Sequence, residues 1–297
     1  MSSTLDNEPT VSSAVAIPHV SQRSFHNYPG AAYVLPADEQ EIERLRQQHN
    51  IWKTAFNGKI LLPPFKPQSS YFVLDSGSGP AAFLLDLCSQ LAQTSVLHGI
   101  DIEKRLFPLS HPSNVSFSIA SVTSLPDEWT SKFDFVHQRL LFFALKRTEW
   151  TLAMDQIHRV LSPGGWVQFG EYGYWHSGPI NEKYRQMQNA LAESRGFDAK
   201  ICADLPRLLQ KAGFINVTVE KRTVPLGAWA GQVGVDSRNN FISVFAGLKM
   251  AVLKAGGLGF VETEEDFDGF TVALQKEWDE TEGSEIEFHI VYAQRPN

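Results

Sequence analysis

The chain has 297 residues, 43% hydrophobic and 20% charged, enough to bury a sizeable core as one elaborated domain or as a domain with a cap. A formal net charge of −7, with no Lys/Arg run longer than the pairs Lys104-Arg105 and Lys221-Arg222, argues against a nucleic-acid acceptor gripped through its phosphates. Two cysteines, Cys88 and Cys202, exclude a disulfide framework or a cysteine cage for a metal, and no apolar run approaches the ~20 residues of a bilayer span, so a reduced protein without a metal site is expected in the cytoplasm, with the nucleus open.

Residues 1–24, within a leading segment over 1–29, are rich in Ser, Thr and Val, carry Asp6 and Glu8, and contain no Lys or Arg before Arg23. Neither a secretory signal nor an Arg-rich transit peptide has that make-up. The segment reads as a flexible tail, a composition that a segment folding over a cofactor would share. A helical cap is expected over 30–66. Within it a helix over 37–57 carries Ile42, Leu45, His49, Trp52 and Phe56 at the three- and four-residue spacing of one buried face. His49 lies in that stripe, where a core histidine satisfied by a hydrogen bond and a role at the site are both open.

Tyr71-Phe-Val-Leu-Asp75-Ser-Gly77-Ser-Gly79-Pro80 reads as an apolar strand, an acid, a glycine turn and the start of a helix, with Pro80 placed at the first helical position. Gly77-x-Gly79-x-x-Ala82 matches the dinucleotide fingerprint. Asp75, two residues before the first glycine, favours another ligand. A carboxylate at that edge repels a pyrophosphate and attracts an ammonium and a sulfonium, both of which S-adenosyl-L-methionine carries.

The next apolar run, Ser95 to Ile102, ends in Asp101, 22 residues after Gly79, near the ~20-residue interval of a ribose-binding carboxylate. Val115–Ala120 leads into Ser121-Val122 and Leu125-Pro126, Lys132–Arg139 reads as a fourth strand, and Gln156–Glu171 as helix, Pro163-Gly164-Gly165 turn and fifth strand. Parallel strands are predicted near 71–75, 96–101, 115–119, 133–138 and 165–171. After them come an aromatic loop, Tyr172-Gly-Tyr174-Trp175-His176, helices near 180–195 and 204–213, a strand near 216–222, helices near 237–255 and 264–281, and a last strand over 285–295. Thr263 is the predicted N-cap of the last helix, with Asp266 at its third position.

Val73-Leu74-Asp75-x-Gly77-x-Gly79 resembles the first motif of the class I S-adenosylmethionine-dependent methyltransferases, and the later motifs over 71–171 follow that family's order. The family's third glycine is Ala81 here, and its adenine-side Asp is Ser121. Tyr33-Val-Leu-Pro36, Arg44-Leu45-x-x-Gln48-His49-x-x-Trp52 and the ending Phe288-His-Ile-Val-Tyr292 are similar to the fungal LaeA-like methyltransferases of secondary metabolism, a likeness covering about residues 31–297. The resemblance implies an α/β fold: a Rossmann-like seven-stranded, mostly parallel sheet with an antiparallel last strand, an N-terminal helical cap, and a helical insert before the last strand. It divides the chain into a cofactor-binding core over 67–172 and lid helices with sheet-completing strands over 173–297.

The resemblance also implies cofactor residues: Asp75, Ser76, Gly77 and Gly79 in the loop, Asp101 and Ile102 at the ribose, Ser121 and Val122 at the adenine, His137 at the methyl end, and Tyr33, Gln48 and His49 closing over the methionine end. Methyl transfer needs alignment and exclusion of water, plus a base when the nucleophile is a poor one. His137, His176 and Glu171 are the candidate catalytic groups, His137 the best placed, with holding the loop or packing on the cofactor as its competing role; Arg139 divides between substrate binding and a structural ion pair. Tyr172, Tyr174, Trp175 and Trp229 could wall a substrate pocket or simply pack. The expected function is methylation of a small molecule, on O, N or S, in fungal secondary metabolism. The alternatives are a LaeA-like regulator that binds the cofactor and protein partners, a non-methylating enzyme using the same cofactor, and a nicotinamide or flavin oxidoreductase.

Overall fold

A computed structural model describes residues 23–26, 28–30, 32–64 and 70–297. The short apolar runs become one seven-stranded sheet in the order β3-β2-β1-β4-β5-β7-β6. β1 (Phe72–Ser76), β2 (Val96–Asp101), β3 (Val115–Ile119), β4 (Phe133–Arg139) and β5 (Leu161–His176) pair in parallel, which suits strands whose apolar residues are covered on both faces. β7 (Glu285–Gln294) enters antiparallel between β5 and β6 (Ile215–Pro225). This is the expected mostly parallel α/β sheet with an antiparallel last strand. The chain order reverses at β1, between β2 and β4, and such a switch point opens a crevice at the carboxyl ends of the strands.

Helices α2 (Ala82–Gln90) and α3 (Arg147–Val160) follow β1 and β4, and α4 (Pro179–Arg195) and α5 (Ile201–Lys211) lie between β5 and β6. The insert before β7 is α6 (Gly231–Lys254) and α7 (Glu264–Glu280). Thr263 caps α7 as its sequence predicts: Asp266 N donates to Thr263 Oγ1 at 3.1 Å and Thr263 N donates to Asp266 Oδ2 at 2.9 Å. Trp278 of α7, fully buried, stacks on Trp175 with ring centroids 5.7 Å apart and donates its Nε1–H to Asn181. That contact ties the insert to the end of β5.

Four expectations change. α1 (Glu39–Ala55) buries Glu41, Arg44, Gln48, His49 and Trp52, while Ile42 and Leu45 are only half-buried. Burying Glu41 and Arg44 is tolerable because they form a two-point ion pair, Arg44 Nε to Glu41 Oε2 at 2.9 Å and Nη2 to Oε1 at 2.5 Å. The aromatic segment after Glu171 is strand, not loop: β5 continues to His176 across a register shift between Tyr172 and Trp175, because β7 supplies a hydrogen-bonding partner. α6 starts at Gly231, earlier than its apolar pattern suggests. Pro80 is not the first residue of α2, which starts at Ala82 after Ala81, a left-handed residue with φ 60°.

Part of the expected tail packs on the fold. Arg23 pairs with Asp38 at 2.7 Å, Ala37 N donates to Ser24 O at 2.6 Å, and Arg105 donates to Phe25 O at 2.7 Å. Residues 1–22 and 27 lie outside the described residues.

Candidate active site

The crevice holds a cavity of about 320 Å³. One wall is the loop after β1, where Gly77 and Gly79 have φ of 67° and 49°, left-handed values that glycine adopts at no steric cost. A Cβ at Gly77 would meet Leu141 Cδ2 at 2.8 Å. Gly77→Ala is therefore expected to lower stability by about 1–2 kcal/mol through the left-handed strain alone, and to weaken cofactor binding as the loop shifts. Thermal melts with and without S-adenosylhomocysteine check this, and a melting temperature unchanged in both states would refute it.

Asp101 closes the turn. Its Oδ2 accepts from Gly79 N at 2.8 Å and its Oδ1 from Glu103 N at 2.9 Å, while burial pushes its pKa up to about 6 against the pull of those amides. Ile102, Ser121 and Val122 line the same cavity. Ser121 Oγ lies 2.8 Å from Thr123 Oγ1 and accepts from Thr123 N, so a local turn already engages this hydroxyl. Ser76 is buried and donates to Gln138 Oε1 at 3.1 Å.

At the other end of the cavity the ends of β1 and β4 meet. Asp75 and His137, both buried, pair through Oδ1 and Nδ1 at 2.7 Å. The carboxylate accepts, so the imidazole proton sits on Nδ1. The ring lies flat on Phe83, centroids 3.5 Å apart, and burial holds its pKa below the ordinary histidine value. His49 is among neither the residues of this cavity nor those of the next one. It sits behind the wall between Asp86, 2.9 Å from its Nε2, and Arg139, 3.4 Å from its Nδ1; burial drops its pKa to about 4. Its contact toward the cavity runs through Arg139, which does line it.

A second cavity of about 180 Å³ adjoins the first and shares Tyr33, Leu45, Gln48 and Leu140 with it. Gln48 donates to Tyr172 Oη at 2.5 Å, and Asn240 of α6 donates to Arg44 O at 2.8 Å, so α1 and the insert are joined at this junction. Tyr172, Trp175 and Phe241 form an aromatic wall, with Tyr172–Phe241 and Trp175–Phe241 centroids 5.0 and 4.8 Å apart. Glu171 faces this cavity. Leu141 N donates to its Oε1 at 2.8 Å, its Oε2 has no partner, only 1% of the residue is exposed, and burial pushes its pKa up to about 8.

Leu140, at the junction, has φ 58°. A left-handed leucine stores about 1–3 kcal/mol of strain, which its N–H bond to Gly170 O and the neighbouring bond from Leu141 N to Glu171 hold in place.

His176 belongs to neither cavity. It is exposed at the far end of β5, paired in register with Glu285. Trp229 also stands apart, donating its indole N–H to Leu226 O. Tyr28, Leu140 and Leu141 line the cavities with no motif to mark them, and Arg44 and Leu45 line them too. The arginine and leucine stand in the Arg44-Leu45-x-x-Gln48-His49 pattern, a signal that was available; the backbone angle of Leu140 leaves no trace in composition.

This strand order, with a glycine turn at the switch point and a separate aromatic chamber, defines the class I methyltransferase architecture. A methyltransferase-domain family model matches residues 73–165. The N-methyltransferase gliN of Aspergillus fumigatus is 30% identical over 283 residues, 89% of this chain and 96% of that protein, and sirN of Leptosphaeria maculans, also an N-methyltransferase, is 29% identical over 90% and 96%. The Aspergillus niger secondary metabolism regulator laeA is 26% identical over 70% of this chain and 56% of its own length. Among solved structures, a Haloferax volcanii methyltransferase in complex with its Trm112 activator superposes with a TM-score of 0.52 at 14% identity, over 88% of this chain and 96% of that one, a likeness of fold. The chain belongs to the class I S-adenosylmethionine-dependent methyltransferases, within the fungal secondary-metabolism group that includes gliN and laeA. It is an S-adenosylmethionine-dependent methyltransferase, and the oxidoreductase reading falls away.

The residues present fit the cofactor: a first cavity walled by a turn with glycines at 77 and 79, and the carboxylates of Asp75 and Asp101 on its lining. Bound there, the cofactor supplies an electrophilic methyl on a sulfonium. Methyl transfer asks a protein to align that methyl with a nucleophile and to exclude water, and Tyr33, Gln48, Leu45 and Leu140 line both cavities where they meet. No helix among the described residues is long and apolar enough to cross a membrane.

Proposed function

We propose that the protein N-methylates a small, largely apolar molecule held in the second cavity, and that Glu171 takes the proton from the acceptor nitrogen. The carrying observation is the free Oε2 of Glu171, buried on the wall of a chamber that meets the cofactor cavity. A carboxyl with a pKa near 8 is a stronger base than an ordinary one, about a tenth ionised at pH 7 and half ionised at pH 8. Tyr172, Trp175 and Phe241 favour a flat apolar body. The relatives gliN and sirN, both N-methyltransferases, support nitrogen over oxygen or sulfur, and the net charge of −7 supports a small molecule over a nucleic acid.

In this reading residues 32–64 and the helices after 173 close the two cavities. His137 holds Asp75 and packs against the cofactor, without a proton-transfer role. Two unpaired cysteines, Cys88 and Cys202, support a cytoplasmic location. The test is incubation of the full chain with a fungal metabolite extract and methyl-labelled S-adenosylmethionine, followed by mass spectrometry of the product. A label carried on nitrogen is expected; a label on oxygen or sulfur, or none on any small molecule, would refute the reading.

A further inference from the structure

Arg139, the last residue of β4, lines the cofactor cavity and is absent from the substrate chamber. Its guanidinium has no carboxylate within ion-pair distance among the described residues. What holds it is neutral: Nη1 and Nη2 each lie 3.4 Å from His49 Nδ1, and the group sits over the Trp52 ring, 5.7 Å from the centroid. For Arg139 to donate there, Nδ1 must be a lone pair, so the imidazole proton sits on Nε2 and points to Asp86 Oδ2 at 2.9 Å. Asp86 in turn takes Lys53 at 2.8 Å. The other acid nearby, Asp75, is engaged by His137. The fold therefore positions a cation on a cavity wall and desolvates it, with Asp75 acting on it only from beyond ion-pair distance and no carboxylate among the described residues in direct contact.

Cofactor chemistry supplies the missing anion. Asp101 and Ser121, on the β2 and β3 side, mark the ribose and adenine end; Arg139 stands on the opposite side of β1, where the amino-acid end must lie. That end carries one negative group. We propose that Arg139 binds the α-carboxylate of S-adenosylmethionine, held in register for it by the neutral His49 and Asp86 behind the wall. Arg139 is thus a cofactor residue and not a substrate residue, and His49 is a positioning residue one layer further back.

Titration calorimetry with S-adenosylmethionine and with decarboxylated S-adenosylmethionine, which differ only in that carboxylate, tests the assignment without any methyl acceptor. The native protein is expected to bind the intact cofactor roughly 10- to 100-fold more tightly than the decarboxylated one, the range of a charged hydrogen bond. Arg139→Met should abolish that preference by weakening the intact cofactor while leaving the decarboxylated one as tight or tighter. Arg139→Lys keeps a charge but loses the two-pronged geometry, so it should retain part of the preference; it carries the test if the Met variant does not fold. Equal weakening of both ligands, or an unchanged preference in either variant, would overturn the proposal.

Discussion

Glu171→Gln is expected to lower kcat/KM by about 10²- to 10⁴-fold, the range of a lost general base, while S-adenosylhomocysteine binds as before. Glutamine keeps the bond that Oε1 accepts from Leu141 N and removes only the ability to take a proton. In the native enzyme log kcat/KM should rise with pH and level off above about 8, where the carboxyl is ionised. In the variant that limb should vanish. A variant that kept both its rate and the rising limb would remove Glu171 from the chemistry and leave it a strut for the turn at Leu140 and Leu141.

The same substitution should stabilise the fold. The folded-state pKa of Glu171 lies above its unfolded value, so the folded state holds the proton more tightly, and stability falls as pH rises from about 4.5 to 8. At pH 7 that loss is about 3 kcal/mol. The neutral amide shares the protonated acid's heavy-atom shape and lack of charge and avoids the loss, so the variant should melt higher at pH 7 and no higher at pH 4. Gaining stability while losing rate is the mark of a buried group retained for function.

Asp101→Ala is expected to weaken S-adenosylhomocysteine binding by about 3 kcal/mol, on the order of a hundredfold. Two losses combine: the carboxylate assigned to the ribose hydroxyls, and the bonds from Gly79 N and Glu103 N that shape the loop. Asp101→Asn, which can still accept one of these, should lose less. With its pKa near 6 the carboxyl is ionised above that value, so cofactor affinity should decline as pH falls through 6 in the native protein and stay flat in Asp101→Asn. Calorimetry across pH 5–8 decides it; native affinity of the Ala variant would refute the ribose assignment. Because raised folded-state pKa values favour protonation, Asp101 also makes the unliganded fold less stable as pH rises from about 3.8 to 6.

The cofactor half of the site was legible because its demands are local. A strand, an acid, two glycines and a second acid at a set interval specify a turn and two carboxylates with little help from the rest of the chain. The substrate half was not. Glu171 could be named as a strand-end acid, but its unpaired oxygen depends on β5, the Leu140 turn and helices α4 to α6 meeting around it. His49 and His176 show the same limit from the other side: one seemed to face the cofactor and lies behind a wall, the other seemed to sit in a substrate loop and lies exposed on a strand.

By itself the sequence determined the order of strands and helices, the cofactor, the capped start of α7 and the family, all carried by hydrophobic period, turn residues and short spacings within a few dozen residues. Tertiary structure decided which side chains meet across long separations: Gln48 with Tyr172, Asn240 with Arg44, and Arg139 with His49. It also decided which charges are left without partners. The reason is physical: a turn is set by neighbouring φ and ψ, whereas desolvation, a shifted pKa and a charge without a contact partner are properties of everything packed around a group.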